Sequence, residues 1–329
     1  MQRSQSISKG CILQRNLSLD ILKVMLAVLV VGIHTAFLSD VSQVANHLTA
    51  NGLFRIAVPI FFIINGFFFF VALESKPINW FKHILLLYLF WMLFYSYFWL
   101  RPNELGVYQL STLLETIIVG YHHLWYLPGM LGAGAMLYLL RGLSTSSLLT
   151  ISILLFSVGL AVQYLGNFEA FDSDHINSVL NVTWVYRNFL FFAFPFFTIG
   201  YLLKRTGWYK NIRKEYLLLT VCVGVLLISV ESYFNFVLLN EYQDIDLFLS
   251  LLIICPAVFL IFLTSNIPWD NKSIALLSTA IYFIHPFFVA LYIKFTSLEN
   301  GAMLVLVLAS SLIASWFMIK INSKFKIML

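Results

Sequence analysis

The sequence predicts an all-α, polytopic membrane protein, and three observations carry that prediction. Of 329 residues, 60% are hydrophobic and only 11% charged, whereas a soluble domain is about half apolar and a quarter charged. The apolar residues come in runs long enough to cross a hydrocarbon core, which takes about 20 residues at about 1.5 Å each. The 32 Phe, 16 Tyr and 8 Trp suit lipid-facing helices with aromatic belts at the interfaces.

Ten runs qualify: about 17–39, 52–73, 81–100, 123–140, 148–166, 186–203, 216–239, 246–264, 274–294 and 301–320. The first follows a polar start of about fifteen residues and lacks a small-residue cleavage site, so it reads as a retained helix. Between the third and fourth, "YQLSTLLETIIVG" within 101–122 predicts an interfacial or re-entrant helix. No soluble domain, internal repeat or disordered tail interrupts the series, and 1–329 reads as a single integral-membrane domain.

Charge then orients the chain. The formal charge is +5, but the basic residues lie between apolar runs and form no nucleic-acid-binding module, so they report topology. With the N-terminus inside, sixteen Lys and Arg fall on cytoplasmic ends and loops, and only Arg55, Arg101, Arg187 and Lys294 fall outside. The outer loops are acidic, as in "NFEAFDSDH" and "NEYQDID". Both termini are expected in the cytoplasm. Cys11, Cys222 and Cys255 show no paired spacing, so neither a disulfide framework nor a metal knuckle is expected.

Polar residues inside the runs carry the functional signal, because each is expensive in hydrocarbon. In "KVMLAVLVVGIH" (23–34), Lys23 and His34 are eleven residues apart. At about 100° per residue that is about three turns, so both face one way, roughly 16 Å apart. Arg55 and Asn65 lie in "RIAVPIFFIINGFFFF", His122 and His123 in "HHLWYLPGML", and Arg187 in "RNFLFFAFPFF". Glu231 lies in "LLISVESYF" and His285 in "YFIHPFF". Taken singly, each has a plain reading: a snorkelling lysine, an interfacial anchor, a histidine beside the Pro286 kink. Their shared outer-to-middle depth instead suggests a water-filled cavity. Glu231 needs a partner, and Arg55 or Arg187 is expected to supply it.

Together "LDILKVMLAVLVVGIHT", "VPIFFIINGFFF", "HLWYLPGML", "RNFLFFAFPFFTIGYLLKR" and "YFIHPFF" resemble the acyltransferase-3 family of bacterial integral-membrane acyltransferases. The likeness is closest to the short, single-domain branch that O-acetylates surface polysaccharides, enterobacterial common antigen among them, or their lipid-linked precursors. In that family a basic residue, usually arginine, precedes the first-span histidine by ten intervening residues, the positions of Lys23 and His34. The family's second-span arginine falls on Arg55. Lys23 departs from the pattern, since lysine carries charge without a planar bidentate fork.

The resemblance implies an O-acetyltransferase of the bacterial inner membrane, using cytoplasmic acetyl-CoA and a cell-envelope glycan, with no metal. His34, Arg55 and Glu231 are the expected catalytic residues. Lys23, Asp20, His122, His123, Arg187 and His285 are expected to bind donor or substrate, with Lys23 and the "KRTGWYKNIRK" loop forming a basic inner mouth. His34 suits the base, because imidazole titrates near neutrality, and Arg55, Arg187 or a backbone donor suits the oxyanion. No G-x-S-x-G, H-E-x-x-H, P-loop or G-x-G-x-x-G motif points elsewhere. Gly129, Gly132 and Gly134 read as helix-packing positions. The alternatives are a transporter or flippase for a small anion or lipid-linked sugar, for which an inverted repeat is expected but not found, and a sensor module, which the lack of an attached domain disfavours.

Overall fold

The computed structural model describes residues 15–100, 107–239, 245–296, 298, 300–325 and 327–329. Arg3, Lys9, Cys11, Arg101, Lys326 and most of the acidic 240–246 loop lie outside these residues. The chain is built of helices: α1 (Leu17–His34), α2 (Gln43–Thr49), α3 (Ala57–Ser75), α4 (Pro77–Phe94), α5 (Ser96–Trp99), α6 (Val107–Val119), α7 (Tyr126–Leu140) and α8 (Thr145–Asn167). There follow α9 (Asp174–Leu180), α10 (Thr183–Tyr186), α11 (Phe194–Thr206), α12 (Lys214–Leu238), α13 (Leu251–Thr264), α14 (Ser273–Phe295) and α15 (Asn300–Phe325).

Among the described residues, seven helical stretches are long and apolar enough to cross a membrane. Those containing α1, α3, α4, α8, α12, α14 and α15 qualify. A helix also occupies each of the other three predicted runs, but α7, α11 and α13 have only 15, 13 and 14 residues. At about 1.5 Å per residue they reach roughly 20 Å, short of a hydrocarbon core about 30 Å thick.

Each of these short helices has lost its first turns to other backbone. Before α7 the chain makes a 3₁₀ turn at His122–Trp125. Before α11 it makes a π-turn at Phe189–Ala193, whose start is capped by the Asn188 side chain accepting from Leu190 N and Phe191 N, both at 2.9 Å. Before α13 residues 245–248 run without helix. Residues from all three breaks line one cavity, the setting in which non-helical backbone is tolerated at membrane depth. α1 likewise ends at His34, five residues earlier than expected, because the chain turns left-handed at Ala36 (φ 48°).

Close helix contacts hold this frame together. α3 and α11 cross through glycine: a Cβ at Gly66 would lie 1.8 Å from the Phe197 carbonyl oxygen, and one at Gly200 would lie 2.0 Å from that of Ile63. On α7, a Cβ at Gly132 would meet the Phe189 ring at 2.5 Å and one at Gly134 the Trp80 ring at 2.8 Å. These are packing positions, as their small size suggested. α1 is anchored at its start by Asn16, whose side chain accepts from Ser18 N at 3.0 Å and donates to the Leu263 carbonyl at 3.1 Å. A two-residue strand, β1 (Arg15–Asn16), pairs antiparallel with β2 (Pro268–Trp269), fixing that end of α1 to the α13–α14 connection.

Candidate active site

Four histidines from three parts of the chain meet at the far end of α1. The His34 ring lies 4.8 Å from that of His122 and 5.2 Å from that of His285, centroid to centroid, and His123 lies 5.6 Å from His285. His285 is fully buried, and its Nδ1 faces the Ile281 carbonyl at 3.1 Å, one turn back on α14. Its Nε2 has no hydrogen-bond partner among the described residues. His122 is held at φ 50°, a left-handed backbone that histidine adopts more readily than most residues and that recurs at functional sites. Among the described residues, no group of His, Cys, Asp and Glu is placed to hold a metal ion.

The cavity beside these rings has a volume of about 450 Å³. His34, His122, His123, Asn51, Arg55, Trp125, Arg187, Asp246 and Tyr282 line it. Its charged wall is a triad. Asp246, 6% exposed, pairs with Arg55 Nη1 through Oδ1 and with Arg187 Nη1 at 2.8 Å through Oδ2. Arg55 Nη2 also donates to Asn51 at 2.7 Å, and the Arg187 guanidinium lies 5.0 Å over the Trp125 ring. Two guanidiniums against one carboxylate leave a net positive charge beside His34, suited to a developing oxyanion.

This corrects the expected partner of Glu231. Its carboxylate pairs with neither arginine but accepts from Leu249 N at 2.7 Å, Ser250 N at 3.1 Å and Ser250 Oγ at 2.8 Å. Two of the three are backbone donors left free where α13 begins, and the third is the Ser250 hydroxyl. Fully buried Gln163 on α8 clamps the same segment: its Oε1 accepts from Asp246 N and Leu247 N, each at 2.9 Å, and its Nε2 donates to the Leu247 carbonyl at 2.9 Å. Glu231 and Gln163 therefore position Asp246, and Glu231 is absent from the cavity wall. In the sequence Asp246 reads only as one acid of the polar "NEYQDID" loop. The signal that marks it is the need of two arginines at the ends of apolar runs for a counterion.

At the other end of α1, Asp20 is 3% exposed and lies between Arg15 at 3.0 Å and Lys23 at 3.2 Å. These residues line a cavity of about 900 Å³ with Lys204, Lys210 and Tyr209. A second cavity of about 250 Å³ shares Lys23 and Phe68 with it. That middle cavity also reaches Asn65, Tyr126 and Tyr282, and Tyr282 is shared with the His34 cavity. Here Asn65 Nδ2 donates to Tyr126 Oη at 2.7 Å, and Tyr282 Oη donates to the His123 carbonyl at 2.8 Å. Lys23 and His34 thus line neighbouring cavities that have Tyr282 as a common wall residue.

Residues 16–320 match the acyltransferase domain. The chain belongs to the acyltransferase-3 family. This acyltransferase is 24% identical to the serine/alanine racemase of Enterococcus gallinarum, over 92% of this chain and 47% of that protein. It is 28% identical to an amino-acid racemase of Enterococcus faecalis, over 55% of this chain and 27% of that protein. A second amino-acid racemase of that organism is 22% identical over 94% of this chain and 47% of its own length. The acyltransferase chain spans about half the length, or less, of the curated relatives it matches. No solved structure gives a significant match.

Proposed function

We propose that this membrane acyltransferase moves an acetyl group from cytoplasmic acetyl-CoA to a hydroxyl of a cell-envelope polysaccharide, or its lipid-linked precursor, across the bacterial inner membrane. One observation supports this reading above the rest: three adjoining cavities, each with wall residues in common with the next, lie between the basic residues around Lys23 and the histidine cluster at His34. With both termini inside, as the Lys and Arg distribution favours, the basic chamber faces the cytoplasm, where acetyl-CoA is found. Arg15, Lys23, Lys204 and Lys210 then meet the phosphates of the donor. The middle cavity, mostly apolar, receives the pantetheine arm, and the thioester reaches the Tyr282 boundary next to His34.

The acceptor hydroxyl enters the outer cavity and gives its proton to the His34 imidazole. Its oxygen attacks the thioester carbonyl, the C–O bond forms, and the C–S bond breaks. The proton passes from imidazolium to the departing thiolate. Positive charge from the Arg55–Asp246–Arg187 triad stabilises the tetrahedral oxyanion. The same arrangement serves a two-step route through an acetyl-imidazole. Racemisation, named for relatives of which the match covers less than half, is not proposed for this chain. The test is mass spectrometry of envelope glycans from cells with and without the gene. An acetyl-sized mass difference that vanishes with His34→Ala is expected, and identical glycans would overturn the reading.

A further inference from the structure

A fourth cavity, of about 220 Å³, meets the reaction cavity at His34 and His122 and nowhere else among its lining residues. One wall is Pro286, Val289, Ala290 and Ile293, the i, i+3, i+4, i+7 face of α14. The opposite wall includes Tyr95 and Phe98. Apart from the two histidines, which lie at the end next to the reaction cavity, the walls carry no ionisable group other than the tyrosines. The groove deepens towards Pro286 and Tyr95, both buried, and opens at Ile293, which is 64% exposed. From Pro286 to Ile293 the helix rises roughly 10 Å.

The cavities adjoin in an order: basic chamber, middle cavity, His34 cavity, apolar groove, each having wall residues in common with the next. A thioester that threads this series leads with its acyl end. When its carbonyl reaches His34, whatever lies beyond the carbonyl continues past the imidazole. We propose that the groove along α14 is an acyl-chain site, so that the enzyme transfers straight-chain acyl groups longer than acetyl as well as acetyl itself. This rests on His34 acting at the carbonyl, as argued above. Acetyl leaves the groove empty; butyryl and hexanoyl place their methylenes against Ala290 and Val289. The open end at Ile293 sets no sharp upper limit on length. Each methylene seated there contributes about fourfold in relative kcat/KM.

The experiment supplies membranes containing the full chain with acetyl-, butyryl- and hexanoyl-CoA and follows acyl transfer to envelope glycan, with protein level measured by immunoblot. Wild type is expected to use all three. Ala290→Phe, which fills the groove, is expected to keep acetyl transfer and to lose butyryl and hexanoyl transfer by tenfold or more. Val289→Ala, which widens the groove, is expected to shift preference towards hexanoyl, and it guards against poor accumulation of the bulkier variant. Wild type restricted to acetyl would overturn the acyl site and leave the acetyltransferase reading standing. An equal fall for all three donors in Ala290→Phe at normal protein level would also overturn it and assign the groove to the acceptor's apolar portion. No transfer from any donor by wild type would overturn both readings.

Discussion

Arg55 and Asp246 are 191 residues apart in the chain and form a buried ion pair at the wall of the His34 cavity. Asp246 is held there through its own backbone N–H by Gln163, and Glu231 holds residues 249 and 250 just downstream. The pair therefore links α8, α12, the start of α13 and the 3₁₀ turn Leu53–Ile56 that precedes α3 into one support for the site, and Arg187 joins it from the segment between α10 and α11.

Removing Asp246 leaves two guanidiniums facing a cavity without their counterion. Loss of one partner from a buried pair typically costs about 3–5 kcal/mol. Asp246→Asn is expected to lower protein accumulation, acyl transfer, or both. In a double-mutant cycle, Arg55→Ala with Asp246→Ala is expected to be less harmful than the two single effects combined. Strict additivity in detergent-solubilised thermal unfolding and in glycan acylation would show that the pair does not act as a unit.

His34→Ala is expected to reduce transfer about 10²–10⁴-fold, the usual contribution of a general base, while the protein still inserts and accumulates. Immunoblotting of membranes alongside glycan mass spectrometry separates the two effects. Near wild-type acylation would remove His34 from the mechanism.

Lys23 belongs to both the basic chamber and the middle cavity. Lys23→Ala is expected to raise KM for acetyl-CoA with a smaller change in kcat, and Lys23→Arg is expected to retain most of the donor affinity. A KM equal to wild type in both variants would make Lys23 a partner of Asp20 alone.

Glu231 tests the positioning role. Glu231→Leu leaves Leu249 N, Ser250 N and Ser250 Oγ without their acceptor and is expected to reduce activity by displacing Asp246. Glu231→Gln retains one acceptor oxygen and should recover part of the loss. A variant equal to wild type with leucine would show that Gln163 alone holds the segment.

Gly66→Ala introduces a Cβ where the Phe197 carbonyl oxygen already stands 1.8 Å away. Backbone cannot yield as a flexible side chain does, so α3 and α11 must separate. The variant is expected to accumulate poorly and to unfold at lower temperature, whereas Gly142→Ala, with nothing within 4 Å, should match wild type.

The sequence by itself determined the membrane class and that each of the ten apolar runs holds a helix. These are local properties: apolar run length and a 3.6-residue period can be read within one stretch of chain. It also brought His34, Arg55, His122, His123, Arg187 and His285 to notice, because each is costly in hydrocarbon wherever the chain goes. Tertiary structure alone decided what those residues meet. A run of average hydropathy does not reveal that the first turns before α7, α11 and α13 unwind, since buried polar side chains elsewhere in the fold must be present to satisfy the freed backbone. The partner of the two arginines was hidden for the same reason. Glu231 and Asp246 are similar carboxylates near the facing ends of two successive apolar runs, and only the packing of α8 and α12 against the 245–250 segment turns one towards backbone donors and the other towards the guanidiniums.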